Sequence, residues 1–100
     1  MLQLRTYTLR SPEALRRYAD VHWQRHLATF AAFGVTTHAI WTDPHSRRLF
    51  AVISYPPDAD PDKLTRRIMA SPQFAADMAG FDVNDIVAVH TTLLDQETMQ

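Results

Sequence analysis

Arg48-Leu49-Phe50-Ala51-Val52-Ile53-Ser54-Tyr55, closed by Pro56-Pro57, carries five apolar residues in a row. A strand with one wet face alternates apolar and polar side chains, so this run asks for cover on both faces. Upstream, Asp43-Pro44-His45-Ser46-Arg47 has turn chemistry. Before it, Val35 to Thr42 is rich in Val, Thr, Ile and Trp. A hairpin of two strands, Val35 to Thr42 and Leu49 to Tyr55, is expected. Gly34 supplies a left-handed stop for a helix from Pro12 to about Phe33. Ser11-Pro12 and Glu13 mark the start of that helix. Leu2 to Leu9, with Thr, Tyr and Leu and no breaker, is the first strand. Downstream, Asp60-Pro61 and Ser71-Pro72 repeat the cap-then-proline signal. They open two short helices, about Pro61 to Ala70 and Pro72 to Ala79, the second closed by Gly80. Ile86 to Leu94 is the last strand, and the polar tail from Asp95 is expected to fray.

The order is β-α-β-β-α-β with a split second helix, an α+β ferredoxin-like plan with a four-stranded antiparallel sheet. Its helices cover one sheet face only. Leu49 to Ile53 and Ile86-Val87-Ala88-Val89 imply that the other face is buried too. The same face of a second copy is the simplest cover, giving a homodimer, a dimeric α/β barrel.

The 100 residues suit one domain spanning 1–100. Ten basic against eleven acidic side chains offer no excess to neutralise phosphates, so nucleic acid is not an expected partner. With no cysteine, disulfides, thiolate zinc sites and iron–sulfur ligation are excluded. No apolar run has the roughly 20 residues a membrane helix needs, and no secretory leader is recognisable, so a cytoplasmic chain with no membrane partner is expected.

The first helix carries the most informative pattern. On a wheel of about 100° per residue, Leu15 and Phe33 fall on one line, with His22 and His26 about 20° to either side. Ala19, Thr29, Tyr18 and Phe30 fill out the stripe, and Trp23 lies about 80° away, a border position. Two histidines thus occupy the middle of a face where aliphatic residues belong. Three readings stay open. They are hydrogen-bonded core histidines. They line a polar pocket and carry protons near neutral pH. Or they share a metal with His38 or His90, although no carboxylate accompanies them at helical spacing and no metal is assigned. On the strands, Arg5 and Tyr7 share one face, His38 shares one with Ile40 and Thr42, and His90 with Ala88 and Thr92. Tyr55 ends the third strand at a pocket rim or the dimer seam. Phe74 and Met78 suit core or pocket wall.

Leu4-Arg5-Thr6-Tyr7-Thr8-Leu9, Tyr18 followed by Trp23, Gly34 before a strand ending in Trp41-Thr42, and Ser71-Pro72-Gln73-Phe74 resemble the NIPSNAP family of the dimeric α/β barrel superfamily. The likeness runs over nearly the whole chain. His22-Trp23-Gln24-Arg25-His26 is also similar to the EthD-like branch. The family's third strand commonly carries Asn, His and Trp, and Arg48 to Tyr55 has none of these. The resemblance implies a small pocket between helices and sheet in each subunit. Superfamily members include cofactor-free quinone-forming monooxygenases, polyketide cyclases, lactone isomerases and haem-handling proteins.

No Gly-rich phosphate loop or nucleophile elbow is present, and no cofactor is called for. The expected activity is acid–base chemistry on a small apolar oxygenated molecule, such as a polyketide or aromatic metabolite: cyclisation, isomerisation, dehydration or carbanion-type oxygenation. His22 or His26 would carry the proton, with Tyr7, Arg5 or His90 polarising a carbonyl or holding an enolate. Tyr18, His38, Phe30, Phe74, Met78 and Tyr55 would bind the substrate. The alternative is a non-catalytic dimer that holds haem or another apolar ligand.

Overall fold

The computed structural model describes residues 1–95; of the polar tail, residues 96–100 lie outside the described part. The chain runs β1 (Leu2–Leu9), α1 (Pro12–Arg17), a π-helical turn (Tyr18–His22), α2 (Trp23–Ala32), β2 (Thr36–Asp43), β3 (Arg48–Ser54), α3 (Pro61–Met69), α4 (Pro72–Asp77), a 3₁₀ turn (Val83–Asp85) and β4 (Ile86–Leu94). The strands form one antiparallel sheet in the order β2-β3-β1-β4. This is the ferredoxin-like arrangement with its second helix in two pieces. No helix among the described residues is long and apolar enough to cross a membrane.

The helix starts follow their caps. Ser11 accepts from the Ala14 amide, Asp60 from Asp62 and Lys63, and Ser71 from Phe74, each ahead of a proline that has no amide to leave unpaired. Gly34 takes φ 82° after α2, and a Cβ built there would stand 3.0 Å from Pro56 Cγ. Both the backbone angle and the lack of room require glycine.

Burial alternates along β1. Gln3, Arg5, Tyr7 and Leu9 face the helices; Leu2, Leu4, Thr6 and Thr8 face away. Register carries this choice across the sheet, pairing Tyr7 with Leu49 and Val89, and Arg5 with Ala51 and Thr91. The apolar run of β3 divides accordingly. Leu49, Ala51 and Ile53 are wholly buried under the helices, where each Leu or Ile contributes about 1.5–3 kcal/mol. Phe50 and Val52 stand half-buried on the far face beside Trp41, which is 56% exposed. β4 departs from the expectation of burial on both faces. It is an edge strand, and Val87, Val89 and Leu93 are half exposed within one chain.

The first helix is not regular. Across Tyr18–His22 the Trp23 amide bonds to the Tyr18 carbonyl five residues back. One extra residue per turn retards everything after it by about 100°. Trp23 swings from the border of the stripe to the sheet-facing line and is fully buried against Tyr7 and Tyr18. The same rotation moves His22 and His26 off that line, toward α4.

Candidate functional site

A cavity of about 340 Å³ lies between the sheet and the helices, within the usual range for small-molecule sites. Arg5, Tyr7, Ile53 and Val89 form its sheet side. Tyr18 from the π turn, Phe30 from α2, Ile68 from α3, Phe74 from α4 and Met78 close it from the helix side. Met69, Val83 and Val89, each at least half exposed, frame the mouth.

The polar equipment is concentrated on β1. Arg5 is 8% exposed, and its Nε has no hydrogen-bond partner among the described residues. No carboxylate among the described residues forms an ion pair with it. Tyr7 compensates it in part, through a side-chain hydrogen bond and through its ring, whose centroid lies 5.6 Å from the guanidinium carbon. Burial lowers the Arg5 pKa and the neighbouring Tyr7, Tyr55 and Tyr18 raise it, Tyr7 also through that hydrogen bond; on balance the pKa is raised and the guanidinium is charged. Burial pushes the Tyr7 phenol up, against the pull of Arg5. Tyr18 is held well above the ordinary phenol value by burial and by its neighbour Tyr7. Both are therefore neutral hydroxyls at physiological pH. Tyr55, one residue beyond β3, donates its hydroxyl to Gln3 Oε1 at 2.9 Å, and its oxygen stands 2.9 Å from Thr65 Oγ1.

The expected site residues divide into three groups. Arg5, Tyr7, Tyr18, Phe30, Tyr55, Phe74 and Met78 come together around the cavity. His22 and His26 do not line it. Both are fully buried behind its wall and anchored to α4. His22 Nδ1 donates to the Asp77 carbonyl at 2.8 Å, and His26 Nδ1 donates to Asp77 Oδ2 at 2.9 Å. His26 is stacked between Phe30 and Phe74, with centroids at 5.3 and 4.9 Å and rings within 12° and 4° of parallel. Burial lowers the His26 pKa against the opposing pull of Asp77, and the ring is neutral at pH 7. His38 and His90 form the third group, on the far face. His90 pairs with outward-facing Thr6. A register shift between Thr37 and Ala39 separates His38 from the face of Ile40 and Thr42, and its Nε2 lies 2.8 Å from Ser54 Oγ. Neither can join His22 and His26 through the sheet, and no group of three or more metal-ligating side chains occurs among the described residues.

Sequence reasoning missed Asp77, Gln3 and Thr65. A signal for Asp77 was present: with Phe74 and Met78 it forms an i, i+3, i+4 stripe, and an acid in such a stripe needs a buried partner.

No family model matches the chain, and no curated protein matches it. Solved structures do. An uncharacterized NIPSNAP domain protein from Burkholderia xenovorans superposes with a TM-score of 0.75 at 14% identity, covering 99% of this chain and 96% of that one. Protein Atu4242 from Agrobacterium tumefaciens superposes with a TM-score of 0.71 at 15% identity, covering 96% and 92%. At such identities the likeness is one of fold, and the fold is that of a NIPSNAP domain over nearly the whole chain.

Proposed function

We propose that this chain is a NIPSNAP-like dimeric α/β barrel protein whose cavity holds a small apolar oxygenated molecule by its oxygen. The observation that carries the reading is Arg5: a buried cation lining an otherwise apolar cavity, with the Tyr7 and Tyr18 hydroxyls beside it. Donors gathered in a water-poor site suit an oxygen that becomes negative, such as an enolate. Arg5 and Tyr7 would hold that oxygen while a water molecule entering at the mouth takes the proton from the neighbouring carbon. Cyclisation, isomerisation, dehydration and oxygenation through a carbanion all pass through such a species, and none asks for a cofactor. The histidines enter this proposal as supports of the cavity wall, not as proton carriers. The homodimer follows from the far face, where Phe50, Val52, Trp41 and Leu4 form an apolar surface that a second copy would cover.

One observation favours binding without turnover. Among the described residues no imidazole or carboxylate lines the cavity, so the described wall offers donors and no base. For the same reason the haem form of that reading finds no histidine in the wall among the described residues.

Exchange of α-protons from a panel of small aryl ketones into deuterated water, followed by NMR, separates the readings. Catalysis predicts exchange faster than in buffer, falling on the order of 10²-fold in Tyr7→Phe. Tight binding of the same ketones without exchange would establish the binding protein. Neither binding nor exchange would remove both.

A further inference from the structure

Arg5 presents an electrostatic imbalance. Taking a guanidinium out of water is unfavourable unless a counter-charge and hydrogen bonds replace what water gave. Here the counter-charge is absent among the described residues. Arg5 forms no ion pair there, its Nε has no acceptor, and Tyr7 offers a ring quadrupole and an uncharged hydroxyl oxygen but no counter-charge. The Tyr7 and Tyr18 phenols beside it remain uncharged hydroxyls. The walls beyond, Ile53, Phe30, Phe74 and Met78, are apolar. The described site therefore has one fixed positive charge, hydroxyl donors next to it, no base among the described residues, and room for a hydrophobic body.

Resting on the proposed binding of an oxygenated molecule, we infer that the ligand reaches this cavity already as a monoanion, its charged oxygen on Arg5 and Tyr7 and its apolar body against α2 and α4. Two chemistries share that description: a carboxylate, and an acidic enol or phenol that ionises below neutral pH. A carboxylate matches the planar fork of the guanidinium through two parallel hydrogen bonds. An acidic enol or phenol supplies one anionic oxygen and brings its own carbanion character, which would make a protein base unnecessary. A ligand of either kind neutralises the buried charge, so affinity and charge complementation arise from the same contact.

Calorimetric titration of the full chain with naphthoate, naphthamide, hydroxynaphthoquinone (an acidic enol) and methoxynaphthoquinone at neutral pH tests this. At least one anion should bind tenfold or more tightly than its neutral counterpart, and which one does identifies the ligand chemistry. Arg5→Met should weaken that anion by on the order of 10–100-fold and leave the neutral probe nearly unchanged. Arg5→Lys should retain part of the discrimination. Without ligand, Arg5→Met should melt no lower than the wild type, because it removes an uncompensated charge; a marked fall would overturn the uncompensated charge on which the inference rests. If Arg5→Met does not fold, the comparison of anion with neutral probe in the wild type still decides. Neutral probes binding as tightly as the anions would overturn the inference and leave the proposed function standing. Binding of none would overturn both.

Discussion

His26 Nδ1 and Asp77 Oδ2 stand 2.9 Å apart, in side chains that are 1% and 9% exposed. The carboxylate fixes which ring nitrogen carries the proton and ties α2 to α4. Asp77→Ala leaves a buried N–H with no acceptor. A loss of about 1–3 kcal/mol is expected, seen as roughly 4–8 °C in the melting temperature for each kcal/mol. A variant melting at the wild-type temperature would mean the pair contributes nothing.

The same ring sets an acid limit. Burial holds its pKa below the ordinary 6.5 despite Asp77. The unfolded chain therefore takes up this proton first as pH falls. The contribution is fully present above about 6.5 and is lost progressively below it. Melting temperature should decline from neutral pH toward acid. In His26→Gln, which can still donate to Asp77, the decline should be shallower. An unchanged slope in His26→Gln would assign the acid sensitivity to other groups.

At the alkaline end the order reverses. Tyr7 and Tyr18 have phenols raised above 10.0, chiefly by burial. The unfolded chain loses these protons first, so stability is intact below about 10 and falls as pH rises beyond it. Phenolate absorbance should show the two groups ionising late, together with loss of helical dichroism. Tyr18→Phe should remove one late group and leave Tyr7 as the other; no change in the late phase on this substitution would contradict the burial argument.

The far sheet face gives a measurement of mass. Sedimentation of the wild type should return twice the 11.5 kDa of one chain. Val52→Glu places a charge in the middle of the apolar face and should shift the distribution to one chain with helical content unchanged. A wild type that sediments as a single chain at high concentration would remove the homodimer from the proposal.

Much of this architecture was legible because local signals and long-range patterns agreed. Ser11-Pro12, Asp60-Pro61 and Ser71-Pro72 place helix starts where capping chemistry requires them, and Gly34 ends α2 with a positive φ. Leu2–Leu9 and Ile86–Leu94 have the bounds that their composition implied. The candidate site was less legible. A helical wheel assumes one constant angle per residue, and the π turn breaks that assumption, exchanging the places of Trp23 and the histidines. The bulge beside His38 does the same to strand alternation. Arg5 and Tyr7 could be put on one face, but that this face meets the helices emerges only from the packing of all four strands.

Phe30, His26 and Phe74 form a continuous pile of three rings, and the outer two also line the cavity. The imidazole protons lie between two aromatic faces, where ring currents displace their resonances strongly from those of a solvated histidine. A guest that nudges either phenylalanine alters that displacement without touching the histidine. His26, withdrawn from the chemistry, is thereby a built-in spectroscopic probe of whether the chamber beside it is occupied.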